Sequence, residues 1–173
     1  MSQNAEREPR NVAEFRRIID GIPVVMVTTV ADDDLFRSRP MLLERVEDDG
    51  SIVLLTHVSS QKVRELERDP RVNVTFVDDK GTRYVYAKGL GRVARDERQI
   101  EELWNPTYRA WFPGGRDDPE IAVLTIDVQR VEYWDVPSSR LVRLWGAVRA
   151  LATGQVAESG EHQTLLFVAE DER

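Results

Sequence analysis

The sequence predicts a small antiparallel β-barrel with short helices packed at its openings. Two observations carry this. Six or seven short runs rich in β-branched residues are spaced along the chain. Turn-forming Asp and Gly clusters separate several of them, so successive strands fold back as antiparallel hairpins.

The elements follow in order. Residues 1–10 are polar and read as an N-terminal arm. Asn11 stands three residues before Glu14, a helix-opening pattern. Val12, Phe15, Ile18 and Ile19 then repeat at helical spacing up to Gly21. PVVMVTTV at 23–30 reads as a strand, and Asp32–Asp34 as a turn. RSRPMLLERV at 37–46 reads as a second strand. Asp48–Gly50 form a turn into SIVLLT at 51–56. Ser59 or Ser60 can cap a helix QKVRELERD, stopped by Pro70. VNVTFVD at 72–78 alternates as a half-buried strand. Asp79–Gly81 turn the chain into TRYVYAKG, and GRVARD continues as another strand, with Gly89 and Gly91 marking a bend or bulge. Asp96 opens the helix ERQIEELW. A loop spans 105–119, and a long strand starts at Ile121. Ser138 or Ser139 can cap a last helix carrying Leu141, Leu144, Trp145, Val148 and Leu151, ended by Gly154. This makes one domain at 11–154 and a polar tail at 155–173 around the apolar run TLLFV.

Bulk properties narrow the function. With 173 residues and 41% hydrophobic content, the chain suits one domain with a proper core. The absence of cysteine excludes disulfides, thiolate nucleophiles and Cys-type metal sites, and fits a reducing cytoplasm. A net charge of −7 argues against nucleic acid as a partner. No run reaches the roughly 18 apolar residues of a membrane helix. The expectation is a cytoplasmic protein with no metal. His57 and His162 lack metal-ligand spacing, and neither a dinucleotide fingerprint, a P-loop nor a nucleophile elbow occurs.

Three features could carry chemistry. In Arg37-Ser38-Arg39-Pro40-Met41, strand alternation sends Arg37 and Arg39 to one face. Paired guanidinium groups repel unless an anion or carboxylate lies between them, and a phosphate accepts such a pair; two solvated arginines on an edge strand are the plainer alternative. Thr56, Ser59, Ser60, Gln61 and Lys62 mark a strand–helix junction where hydroxyls, amides and a lysine can form an anion site, or only an ordinary cap. Trp104, Tyr108, Trp111 and Phe112 crowd one helix end and loop, with Tyr133 and Trp134 late in the long strand. Such rings can wall a flat ligand or fill a core or an interface.

Together these blocks resemble the general stress protein 26 branch of the pyridoxamine 5′-phosphate oxidase-like, FMN-binding split-barrel family. The resemblance runs from about Asn11 to Gly154. RSRPM, the T-x-x-x-S-x-K spacing of Thr56, Ser60 and Lys62, and the pair LWNPTYRAWFPGGRDDP and VEYWDVPSSRLV carry it. It implies a split antiparallel barrel and a homodimer with FMN at the subunit interface. By position, Arg37, Ser38, Arg39, Pro40 and Met41 would line the flavin ring and ribityl chain. Leu55, Thr56, Ser60 and Lys62 would hold the phosphate, with Gln61 in place of a basic residue. Trp111 would wall the ring. Tyr84 falls where the oxidases use a partner-subunit glutamine, and Trp134 on the family tryptophan near the flavin. Arg140 matches a substrate arginine, but Val142 replaces the histidine two residues on. The departures point away from oxidation of pyridoxamine phosphate itself. The resemblance thus implies an FMN-dependent oxidoreductase of another substrate, linked to stress. The alternatives are a non-catalytic flavin-binding sensor or a barrel using deazaflavin or haem, for which His57 would be the axial candidate.

Overall fold

The computed structural model describes residues 9–78, 83–135 and 161–167. Among the described residues, three helices, α1 (Pro9–Ile19), α2 (Gln61–Arg68) and α3 (Glu97–Leu103), accompany eight strands. The strands are β1 (Val24–Val30), β2 (Phe36–Leu42), β3 (Arg45–Val46), β4 (Ile52–His57), β5 (Arg71–Val77), β6 (Arg83–Ala94), β7 (Ile121–Asp135) and β8 (Glu161–Leu166). The sheet order is β2-β1-β5-β6-β7-β4-β3, every pair is antiparallel, and β8 pairs with β7. The sheet curls into a split barrel, as expected.

Alternation explains which side chains face inward. Val25, Val27, Val74, Phe76, Val85 and Ala87 point into the barrel, where Phe15 and Ile18 of α1 close one opening. Phe15 meets Phe76 edge-to-face at 5.8 Å. The strand β4 is apolar on both sides, which removes any alternation from its sequence. Ile52 and Leu54 join the main core, and Val53 joins a second cluster with Ile100, Phe112, Ile121 and Val123 beneath α3.

Several elements differ from expectation. The helix α1 begins at Pro9, whose fixed φ and missing N–H suit a first helical position. Asn11 therefore lies inside the first turn rather than capping it, and its amide donates to the Leu166 carbonyl at 2.8 Å. The strand expected at 37–46 is two strands. Leu43 N–H donates to Pro23 O beside β1, and Glu44 N–H donates to Val53 O on β4. The chain thus crosses at Leu43–Glu44 from one end of the sheet to the other, which breaks the ladder. The strand β6 runs unbroken, with its register shift between Lys88 and Gly89. A Cβ on Gly89 would stand 2.0 Å from Asp127 O, so this close approach requires glycine. The loop after α3 winds into two 3₁₀ turns, Pro106–Ala110 and Gly115–Asp117.

The expected polar tail contributes β8, and Phe167 enters the core against Phe15 at 5.9 Å. The apolar run TLLFV is short enough to have passed for a tail, yet it supplies the second neighbour for the late half of β7. The turn at 79–81 and the helix expected at 138–154 lie outside the described residues. Among the described residues no helix is long and apolar enough to cross a membrane.

Candidate active site at the split

A cavity of about 350 Å³ opens where the chain crosses the split. It is within the usual size of a small-ligand site. The strand β2 contributes Pro40, Met41 and Leu42, and the crossing contributes Glu44. The end of β4 contributes Leu55, Thr56 and His57, α2 contributes Lys62, the first 3₁₀ segment contributes Tyr108, and the residues just after it contribute Trp111 and Phe112.

One end is cationic. The Lys62 ammonium donates to Thr56 Oγ1 and Ser60 Oγ, both at 3.1 Å. Ser60 occupies the N-cap of α2, but its side chain makes no capping bond. It is turned toward Lys62 instead, leaving the first-turn N–H groups without that acceptor. Burial lowers the Lys62 pKa, the Arg39 charge lowers it further, and Glu65 partly opposes both. Lys62 makes no ion pair among the described residues.

Arg37 and Arg39 share a face, as alternation requires, and a carboxylate lies between them. Arg37 Nη1 donates to Glu65 Oε1 at 2.9 Å, and Arg39 Nη2 to Glu65 Oε2 at 2.7 Å. Thr29 Oγ1 donates to the same Oε2 at 2.5 Å and accepts from Arg39 Nη1 at 2.6 Å. Glu65 is fully buried in α2. Burial acts to raise its pKa, but the Thr29 and Arg39 hydrogen bonds and both arginine charges outweigh it, holding the carboxyl below its ordinary value. The pair is therefore neither two solvated arginines nor an open phosphate clamp. Glu65 was not singled out from the sequence, because it looks like one of several charges on a polar helix.

The other end of the cavity is acidic and aromatic. Tyr108 Oη donates to both Glu44 carboxylate oxygens, at 2.9 and 2.7 Å. Burial raises the Glu44 pKa against the opposing effect of that bond, and burial beside Glu44 raises the Tyr108 pKa. His57 stacks on Phe112 with ring centres 4.3 Å apart. Glu44 and His57 thus bring a carboxyl group and an imidazole to the cavity.

The structure gathers Pro40, Met41, Leu55, Thr56, Lys62 and Trp111 around one cavity, with Ser60 bonded to Lys62 and Arg39 close behind. Ser38 points to the opposite face of β2, its hydroxyl 2.7 Å from that of Thr28. Gln61 is exposed at the start of α2. Tyr84 and Trp134 are register neighbours on β6 and β7, and neither lines the cavity of its own chain. Arg140 and Val142 lie outside the described residues. No cluster of three or more potential metal ligands occurs among those described.

A split barrel with a cation-ended, aromatic-walled pocket at its opening defines the class of protein. The comparisons place it more closely. The family model for pyridoxamine 5′-phosphate oxidase-like proteins matches residues 10–158, and the chain belongs to that family. Protein bli-3 of Neurospora crassa is 23% identical over 143 residues, covering 77% of this chain and 68% of that protein. The general stress FMN/FAD binding protein of Xanthomonas citri superposes with a TM-score of 0.65 at 26% identity, over 75% of this chain and 92% of that one. General stress protein 26 of Bacillus anthracis shares the fold with a TM-score of 0.62 at 22% identity, over 72% of this chain and 92% of that one.

Proposed function

We propose that the protein is a cytoplasmic, stress-linked flavoprotein that binds FMN at the split and uses it as an oxidoreductase on a substrate other than pyridoxamine phosphate. The observation that carries this is Lys62: a desolvated ammonium beside two hydroxyls and a helix start, with no ion pair among the described residues. A phosphate fits that donor set, because it supplies the missing charge and accepts from every group there. The apolar surfaces of Met41, Leu55, Trp111 and Phe112 suit a flat ring above it. When bound, FMN supplies the hydride or electron chemistry. The chain's own residues fix its phosphate, wall its ring, and offer Glu44 and His57 as proton-carrying groups. Those two groups favour an enzyme over a passive flavin store. The FMN/FAD binding relative from Xanthomonas citri supports the choice of ligand.

The working form in this reading is a homodimer joined through the outward face of the sheet. That face presents Val24 at 49%, Met26 at 40% and Phe36 at 80% exposure. Pairing it would bring Tyr84 and Trp134 of one copy toward the pocket of the other. Met26→Glu places a charge at its centre, and the expected result is a monomer by sedimentation. An unshifted dimer would move the interface elsewhere.

FMN titration followed by flavin fluorescence tests the cofactor. FMN should bind and riboflavin bind more weakly. Lys62→Ala removes charge-assisted hydrogen bonds worth about 1.5–3 kcal/mol, a loss of about ten- to a hundredfold for FMN, with riboflavin unaffected. Equal FMN affinity in the variant would take the phosphate away from Lys62.

A further inference from the structure

The cavity is electrically divided, and the division constrains what can bind beside the flavin. Glu44 is held by its own backbone at the level of Val53, since its N–H donates to Val53 O at 3.1 Å. Thr56, which accepts from Lys62, lies three residues further along β4. At strand rise this separates the acidic and cationic levels by roughly 10 Å. A phosphate held by Lys62 therefore leaves Glu44 facing another part of the cavity.

The partner of Glu44 is a single neutral hydroxyl. Both of its oxygens accept from Tyr108 Oη, and no ion pair to Glu44 occurs among the described residues. Each carboxylate oxygen keeps acceptor capacity beyond that bond. Tyr108 is itself fixed: its N–H donates to Asn105 O, its carbonyl accepts from Trp111 and Phe112, and its ring meets Trp104 edge-on at 6.0 Å. The carboxylate is thus oriented by a rigid neighbour, lines the cavity and has no cation paired with it among the described residues. The nearby arginines cannot serve it, because Arg37 and Arg39 are bound to Glu65, and Arg45 pairs with Glu47 and Glu102.

We infer that Glu44 selects the class of the second ligand, accepting from a cationic or N–H-donating group on a flat molecule and turning away ligands that present a carboxylate or phosphate there. A donor at this place gains a charge-assisted bond in a sheltered site, whereas an anion meets an uncompensated like charge. The inference rests on the flavin-binding reading for the location of the second ligand, but the preference belongs to the cavity itself.

Benzamidine and benzoate are probes of matched size and opposite charge. Titrating each into the full-length protein at mildly alkaline pH, with tryptophan fluorescence as readout, measures the preference without flavin. Repeating the titrations on FMN-saturated protein, with the flavin absorption bands as readout, measures it beside the cofactor. Benzamidine should bind more tightly than benzoate. Glu44→Gln should lower benzamidine affinity about tenfold or more, and Glu44→Lys should reverse the order of the two probes. Circular dichroism checks that each variant is folded, and Tyr108→Phe, which keeps the carboxylate, should keep the order. Equal binding of the two probes to the wild type, or an unchanged order in folded Glu44→Lys, overturns the inference. Failure of FMN to bind would instead count against the cofactor reading, with the fluorescence titration still deciding the role of Glu44.

Discussion

Replacing Glu65 by glutamine should destabilise the fold substantially while leaving its shape nearly intact. The carboxylate is fully buried and accepts from Arg37, Arg39 and Thr29. Glutamine keeps one acceptor and turns the other toward an arginine as a donor, so two cations lose their counter-charge. Removing one partner of a buried ion pair costs about 3–5 kcal/mol. Arg37 is 43% exposed and can return partly to water, which moves the expected cost to about 3 kcal/mol. For a urea dependence of about 2 kcal/mol per molar, the unfolding midpoint should fall by about 1.5 M. The pH dependence gives a second readout. The folded Glu65 pKa is depressed, so its contribution is present above the unfolded carboxylate pKa and is lost as pH falls through the folded value. The stability difference between wild type and Glu65→Gln should therefore shrink in acid. A midpoint shift below about 0.3 M, or a difference independent of pH, would refute the claim that Glu65 neutralises the arginine pair.

Two further variants test other parts of the structure. Phe167→Ala removes the aromatic contact that β8 makes with Phe15 and should cost about 3–5 kcal/mol in urea unfolding; a surface-like cost would detach the C-terminal strand from the core. Tyr108→Phe removes the one hydrogen bond among the described residues that lowers the Glu44 pKa, so a carbon-13 NMR titration should show Glu44 moving further up. An unmoved Glu44 would separate the two side chains.

The barrel was legible because its local signals agree with its tertiary packing. Alternation in VNVTFV and Asp-Gly turns such as Asp49-Gly50 follow from backbone chemistry, and the sheet uses them as written. The core role of residues 161–167 was hidden, because seven residues with one apolar run carry no periodicity long enough to separate a strand from a tail. The site was legible in halves. Lys62, Thr56 and Ser60 fall within one turn of chain, so spacing alone places them together. Glu44 and Tyr108 are separated by 64 residues, and nothing local links them.

The crossing at Leu43–Glu44 explains both the missed strand break and the missed acid. A sequence scan treats RSRPMLLERV as one strand because every residue in it tolerates extended backbone. What interrupts it is the closure of the sheet: one N–H serves Pro23 on the β1 side and the next serves Val53 on the β4 side. The residue that makes this transfer must lie at the split, and its side chain has the cavity beside it. In a barrel that opens between two specific strands, the chain that spans the opening is therefore where a ligand is met. In this protein the spanning residue is a glutamate, so the acid that faces the cavity is positioned by the same hydrogen bond that closes the barrel.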